Sequence, residues 1–350
     1  MSKNKVTIYD VASRLGLSTA TVNRVINNKP NVSEKTRKLV LDAVNEMGYR
    51  PSKTAASLSR APIHISVLIA ASIADFHNEI ERGANAALDE LFDFNVRGEV
   101  RVIEKRPEAD KFIEAMYEEA DKDVDAIALV CHKDEPAVIR AMKDISRRGI
   151  KFAIGVSEIS DQCNTLSVKS NGIVAGKMAA ELLENMLGTG KVAIIVGDKG
   201  TNVHDDCYLG FKEYVDNSPL ELTDYYESLE DYEVSASLAE RITDEHPDIS
   251  GVYISSANSI GFCDQIEKMN KKNDIRIITS DIFPALAQYL DRHVADASIF
   301  QNPFLTGKLL VQCIYENLTE IGKFQNKVLY TDPQVVLNSN KELFLSHMKE

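Results

Sequence analysis

The sequence predicts an all-α head over residues 1–50 and, behind it, an α/β body of two Rossmann-like lobes. Three observations carry this. Helix-period apolar residues surround a glycine turn in the first fifty positions. From His64 onward, strand-like runs alternate with amphipathic stretches, the pattern of βαβ units and parallel sheets. Charge is also divided. Residues 1–60 hold eleven Lys/Arg against four Asp/Glu, a net of +7, whereas the whole chain of 350 residues carries −13, leaving −20 on the body. A basic head suits phosphate contacts, and an acidic body stays off a polyanion.

In the head, Thr7 and Asp10 form a capping-box-like start, with Val11, Ala12 and Leu15 as the inward stripe. Gly16 ends that helix, Leu17 fills the turn and Ser18 caps a second helix, in which Val22, Val25 and Ile26 point inward. Thr19, Ala20, Asn23 and Arg24 are left outward near its N-terminal end, where a groove-reading helix presents small polar residues to base edges. A third helix over Ser33–Met47 is expected to bury Val40, Leu41, Val44 and Met47. The segment reads as a DNA-binding helix-turn-helix.

It resembles the LacI/GalR family of bacterial transcriptional repressors through Val22-Asn-Arg-Val-Ile-Asn27, Val32-Ser-Glu-Lys-Thr-Arg37 and Gly48-Tyr-Arg-Pro51, with Asn23 where the family usually has Ser. The expected DNA-contact set is Thr7, Ser18, Thr19, Ala20, Thr21, Asn23, Arg24 and Asn27. Ala55-Ala-Ser-Leu58 matches the family's hinge helix, which implies Leu58 as a wedge in the minor groove.

Strands are expected at 64–70, 99–104, 126–131, 152–156, 192–197, 251–255 and 275–280. Amphipathic stretches lie between them. The family resemblance extends here through Asn171-Gly-Ile-Val-Ala-Gly176, Gly210-Phe211 and Gln301-Asn-Pro303. It implies lobes of the periplasmic-binding-protein type I kind, with three chain crossings between them. The expected organisation is a head over 1–50, a hinge over 51–61 and a ligand-binding body over 62–350. Lobe 1 then takes 62–161 and 300–325, and lobe 2 takes 162–299 and 326–350.

Ligands of such sheets bind outside the carboxyl ends of the strands. Phe76 and His77 follow the first strand, and Asn258, Asp281 and Gln301 follow later ones. The resemblance implies an aromatic ring against a sugar at Phe76 and hydrogen bonds to its hydroxyls at the last three. Cys207 stands where the family often has Arg, and Val156-Ser157 replace an Asp-Arg-like pair. Without those guanidiniums, an uncharged polyhydroxyl ligand is expected rather than an anion, unless Lys133 or Lys169 turns inward.

Other classes fit less well. No run approaches the ~18 apolar residues of a membrane span, and no signal peptide is apparent, so a cytoplasmic, nucleoid-associated protein is expected rather than a transporter's solute receptor. The five cysteines are expected as buried thiols. His204-Asp-Asp-Cys207 reads as a solvated helix start rather than a metal site, and Gly188-Thr-Gly-Lys191 as a helix stop, since Val192 stands where a phosphate loop needs Ser or Thr. No catalytic constellation is present, so neither an enzyme nor a cofactor is expected. The expected partners are double-stranded operator DNA, a small sugar-like effector and a second copy of the chain. Two heads are needed because one small module offers too little interface for specific binding.

Overall fold

A computed structural model describes residues 6–26, 29–49, 60–71, 73–103, 108–130, 135–158, 166–319 and 327–348. The chain divides into two compact units, 1–62 with 92–95 and 63–91 with 96–350.

The small unit is built on α1 (Ile8–Leu15), α2 (Thr19–Ile26) and α3 (Glu34–Met47). Asp10 N donates to Thr7 Oγ1 at 3.3 Å while Thr7 N donates to the Asp10 carboxylate at 2.7 Å, completing the capping box. Gly16 takes the left-handed conformation, φ 63°, that closes α1, and Leu17 N then reaches Ala12 O at 3.0 Å. Ser18 and Ser33 cap the next two helices by accepting from Thr21 N and Thr36 N. Val11, Ala12, Val22, Val25, Val40 and Ala43 form the core, and Arg14 of α1 pairs with Glu46 of α3 at 2.6 Å. Leu41 departs from expectation. It is 44% exposed, because the inward stripe of α3 runs through positions 40, 43, 44 and 47, and Leu41 lies a third of a turn off it.

The large unit begins with β1 (Ile63–Ala70), α4 (Ala74–Leu91), β2 (Val96–Ile103), α5 (Ala109–Ala120), β3 (Ala126–Val130), α6 (Pro136–Ser146), β4 (Lys151–Gly155) and β5 (Leu166–Ser170). It continues through α7 (Gly172–Leu187), β6 (Gly190–Val196), α8 (Asn202–Val215), β7 (Leu220–Glu227), α9 (Tyr232–Glu245), β8 (Ile249–Ile254) and α10 (Ile260–Lys268). The chain then forms β9 (Arg276–Ser280), α11 (Pro284–Asp291), β10 (Ala297–Phe300), α12 (Pro303–Thr319), β11 (Lys327–Thr331), β12 (Gln334–Val336) and α13 (Lys341–Leu345).

Two six-stranded sheets result, in the orders β11-β5-β4-β3-β1-β2 and β12-β10-β9-β8-β6-β7. All pairs are parallel except β10 with β12. Both faces of central strands are covered, so Val67, Leu68 and Ile69 are all fully buried and read as one apolar run.

Strands β5 and β11 both belong to the first sheet, β5 beside β4 and β11 beside β5. The expected breaks at 161/162 and 325/326 therefore move, and the chain leaves the first sheet after Ser170 and again after Thr331. The crossings are tied together. Asn171 N donates to Thr331 O at 3.2 Å, and Thr331 Oγ1 donates to Gln301 O at 2.9 Å. After Gln301, α12 returns to pack on α4, where a Cβ on Gly83 would come 1.9 Å from Phe304 O and one on Gly307 would come 2.0 Å from Ile80 O. Only glycines allow this approach.

In each sheet one strand has neighbours built in opposite directions: β1 lies between β3 and β2, and β6 between β8 and β7. Crevices open outside the carboxyl ends of such strands. The segments after β1, β4, β6, β7, β8 and β10 frame the site.

Candidate DNA-binding face and ligand cleft

On α2, Ala20, Asn23 and Arg24 are exposed on one side while Val22 and Val25 are buried on the other. Thr19 and Thr21 are half-buried, and the Thr21 hydroxyl lies 2.9 Å from that of Ser18. Thr7 is engaged in capping α1, and its backbone N–H is the first cause holding the Asp10 carboxyl below the usual carboxylate range. No acidic residue lies in the first turn of α2, which leaves its positive dipole end available to a phosphate. Asn27 and Leu58 lie outside the described residues.

In the body, a cavity of about 30 Å³ sits between the two lobes. Ile73, Phe76 and Val156 line it from the first lobe, Val203, His204, Glu230, Ser255 and Ala257 from the second, and Gln301 from a crossing. That volume is well below the roughly 300 Å³ or more of a small-molecule site, so the space as it stands is smaller than a sugar.

Phe76 is positioned by the first turn of α4 and is 7% exposed, with its ring edge-on to His77 at 5.4 Å. His77 itself is 1% exposed and sits behind the wall, with Nδ1 2.7 Å from Ile73 O. Burial pulls its pKa down, opposed by the Ile73 bond and by the charge of Glu230 across the cleft.

Asp281 is fully buried and left-handed, φ 61°, and both its oxygens are occupied by Gln301, whose backbone N and side-chain Nε2 each donate at 2.9 Å. Gln301 is thus the residue presented to the cavity, and Asp281 holds it. Asn258 is half-exposed and its neighbour Ala257 lines the cavity. The Asn258 backbone N donates to Ser256 Oγ at 2.9 Å. Cys207, expected in the cleft, lies instead in the core of the second lobe beside Tyr253, where burial pushes its thiol up to about 12. Its position on the inward face of α8 against α7 takes it away from the opening, since Cys207 O is what a Cβ on Gly176 would strike at 2.1 Å. Lys169 is 3% exposed and turned to Glu158 and Asp206, at 2.8 and 3.0 Å. Lys133 lies outside the described residues.

Glu230 is not singled out by the sequence, and His204 enters there only as part of a metal reading that is set aside. The Glu230 carboxylate lies 3.2 Å from His204 Nε2 and accepts from Ser256 Oγ, with its side chain 5% exposed. A Cβ on Gly197 would fall 1.8 Å from Glu230 Oε1, so the carboxylate occupies the space beside a glycine at the end of β6. His204 was expected on a solvated helix start, yet it is 7% exposed because α8 begins at the crevice rather than at the outer surface. Val156, Leu229 and Glu230 all have positive φ (72°, 55° and 54°). For the β-branched Val156 this is a strained conformation, of the kind that clusters at ligand clamps.

A helix-turn-helix head on a two-lobed, cleft-bearing body defines a class of protein, the transcriptional regulator with a binding-protein core. Residues 7–52 match bacterial regulatory proteins of the lacI family, and residues 65–323 match the periplasmic binding protein domain. The chain thus belongs, over most of its length, to the periplasmic binding protein domain family, and its head is a lacI-family regulatory domain. It is 28% identical to the HTH-type transcriptional regulator DegA of Bacillus subtilis over 61% of this chain and 62% of that protein. It is also 28% identical to the ribose operon repressor of Halalkalibacterium halodurans, over 79% of this chain and 81% of the other. Among solved structures, GanP, a glucose-galactose binding protein from Geobacillus stearothermophilus, matches with a TM-score of 0.72 and 23% identity over 80% of this chain and 99% of its own. Among the described residues, no helix is long and apolar enough to cross a membrane.

Proposed function

We propose that this chain is a repressor that binds a pseudo-palindromic operator as a homodimer in the bacterial cytoplasm, at the nucleoid, and that a polyhydroxyl effector in the interlobe cleft sets its DNA affinity. The observation that carries the reading is the joining of two features in one chain, an exposed Ala20-Asn23-Arg24 face on a capped helix and a cleft with Phe76 on one wall, Ser255 on the other and Gln301 at the crossing. The aromatic ring suits the apolar face of a sugar, and amide and hydroxyl suit its alcohols. The ribose operon repressor and the glucose-galactose binding protein among the relatives support a carbohydrate or a derivative of one. In this reading Leu58 wedges into the minor groove and Thr7, Ser18, Thr19, Thr21 and Asn27 contribute backbone or base-edge contacts around Arg24. Selection of operator fragments from genomic DNA, followed by a salt-dependent mobility shift with and without sugars and polyols, tests it. A chain that shows no salt-dependent, sequence-selective shift, or whose shift no polyol alters, is not this regulator.

A further inference from the structure

The two walls of the cleft differ in charge, and one of them carries an acid that the resemblance to sugar-binding relatives did not foretell. Glu230 lies on the cavity with a side chain only 5% exposed, and Gly197 leaves room for its carboxylate. Among the described lining residues there is no lysine or arginine, and the ionisable side chains are Glu230 and His204. Lys169 is already bound to Glu158 and Asp206. Phe76 lines the same cavity from the first lobe, and an aromatic ring attracts a cation as well as an apolar surface. Ser255, 3% exposed on the same cavity, has a hydroxyl with no partner and so offers a bond to an incoming ligand.

We propose that the cleft selects a polyol bearing a protonated amine, an amino sugar or amino alditol, with the ammonium on Glu230 and against Phe76 and with neighbouring hydroxyls on Ser255 and Gln301. This rests on the effector-cleft reading above and narrows it. An ammonium donates a charge-assisted bond to a desolvated carboxylate where a hydroxyl gives a neutral donor, and the same carboxylate repels sugar acids and phosphates.

Calorimetric titration of the full chain with matched pairs tests the assignment. The pairs are glucose against 2-amino- and 6-amino-glucose, sorbitol against 1-amino-1-deoxysorbitol, and each amine against its N-acetyl form. The expected result is about tenfold tighter binding of at least one amine than of both its alcohol and its N-acetyl counterpart. Glu230→Gln, of nearly equal shape, should erase that preference. The wild-type comparison decides even if the variant folds poorly. Alcohols that bind as well as every amine, or a sugar phosphate that binds more tightly, would overturn the amine assignment while leaving the cleft as an effector site. Failure of all these compounds to bind would overturn both.

Discussion

Gln301 holds both oxygens of Asp281, one through its backbone N–H and the other through its side-chain amide, each at 2.9 Å. The pair links the end of β9 to the crossing after β10, so the acid that looked like a ligand acceptor positions the amide that faces the cavity. Burial pushes the Asp281 carboxyl up from 3.8 to about 7 against those two bonds. The folded protein therefore keeps a proton that the unfolded chain has already lost.

Stability should for that reason fall as pH rises from about 4 to 7, by at most about 1.4 kcal/mol per pH unit from this group, and stay level in this respect above 7. Asp281→Asn removes the dependence and keeps the backbone, since Asn tolerates a φ of 61°. Urea midpoints at pH 5 and pH 8 check it: the drop between them should be smaller in the variant. Equal drops would place the carboxyl's titration elsewhere.

The turn of the head offers a purely conformational test. Gly16 has φ 63° and nothing within 4 Å of where a Cβ would stand, so Gly16→Ala costs only the left-handed backbone, about 1–2 kcal/mol. Gly16→Asn should cost less, because its side chain tolerates that region. Hydrogen exchange at Val22 and Val25 in the full chain reads the effect. Ala and Asn variants with identical protection would show that the left-handed turn does not limit the head.

Much of this molecule was legible because local chemistry and global fold agree. The three head helices open on Thr7, Ser18 and Ser33 caps, and left-handed Gly16 and Gly48 close the first and third, all of them short-range signals. The strands missed are those whose sequence does not look buried or long: Leu166–Ser170 includes Lys169, Leu220–Glu227 is an acidic edge strand, Ala297–Phe300 has only four residues, Lys327–Thr331 is a partly exposed edge strand, and Gln334–Val336 has only three residues. That second omission also hid Glu230, which becomes a candidate once residues 220–227 are known to be a strand, because it then follows a carboxyl end. Phe76 and Gln301 were legible from the strands before them. Cys207 was misplaced because the family resemblance placed it by position along the chain, whereas its side chain lies on the buried face of α8 in the core of the second lobe.

Arg24 is exposed beside Ala20 and Asn23, on the face of α2 opposite its buried valines. Arg24→Ala should weaken operator binding and relax preference at one base pair by about 1–3 kcal/mol, if the guanidinium meets a base edge. Lys212→Ala, on the acidic body, should change neither. Competition shifts with single-base operator variants distinguish the outcomes. A uniform loss across all sequences would assign Arg24 to phosphate instead, and no loss would remove α2 from the groove.

Gly197 and Glu230 should be energetically coupled. A Cβ at position 197 would stand 1.8 Å from Glu230 Oε1 and 2.6 Å from both Glu230 Cδ and His204 Nε2, closer than any real contact. Gly197→Ala must therefore displace the carboxylate from Ser256 and His204, an overpacking cost of about 1–3 kcal/mol. It should also weaken the preference for an amine, since the acid no longer faces the cavity from the same place. Glu230→Ala removes the two Glu230 atoms among the three nearest to the new methyl, while the His204 ring, which accepts from Gly197 N, stays close to it. The methyl should thus cost less in the Glu230→Ala chain than in the wild type, and the two changes together should destabilise by less than their sum. Chemical denaturation of the wild type, both single variants and the double variant measures the coupling. Strict additivity would mean that the carboxylate does not occupy the space beside Gly197, and the charge on that wall of the cleft would have to be assigned afresh.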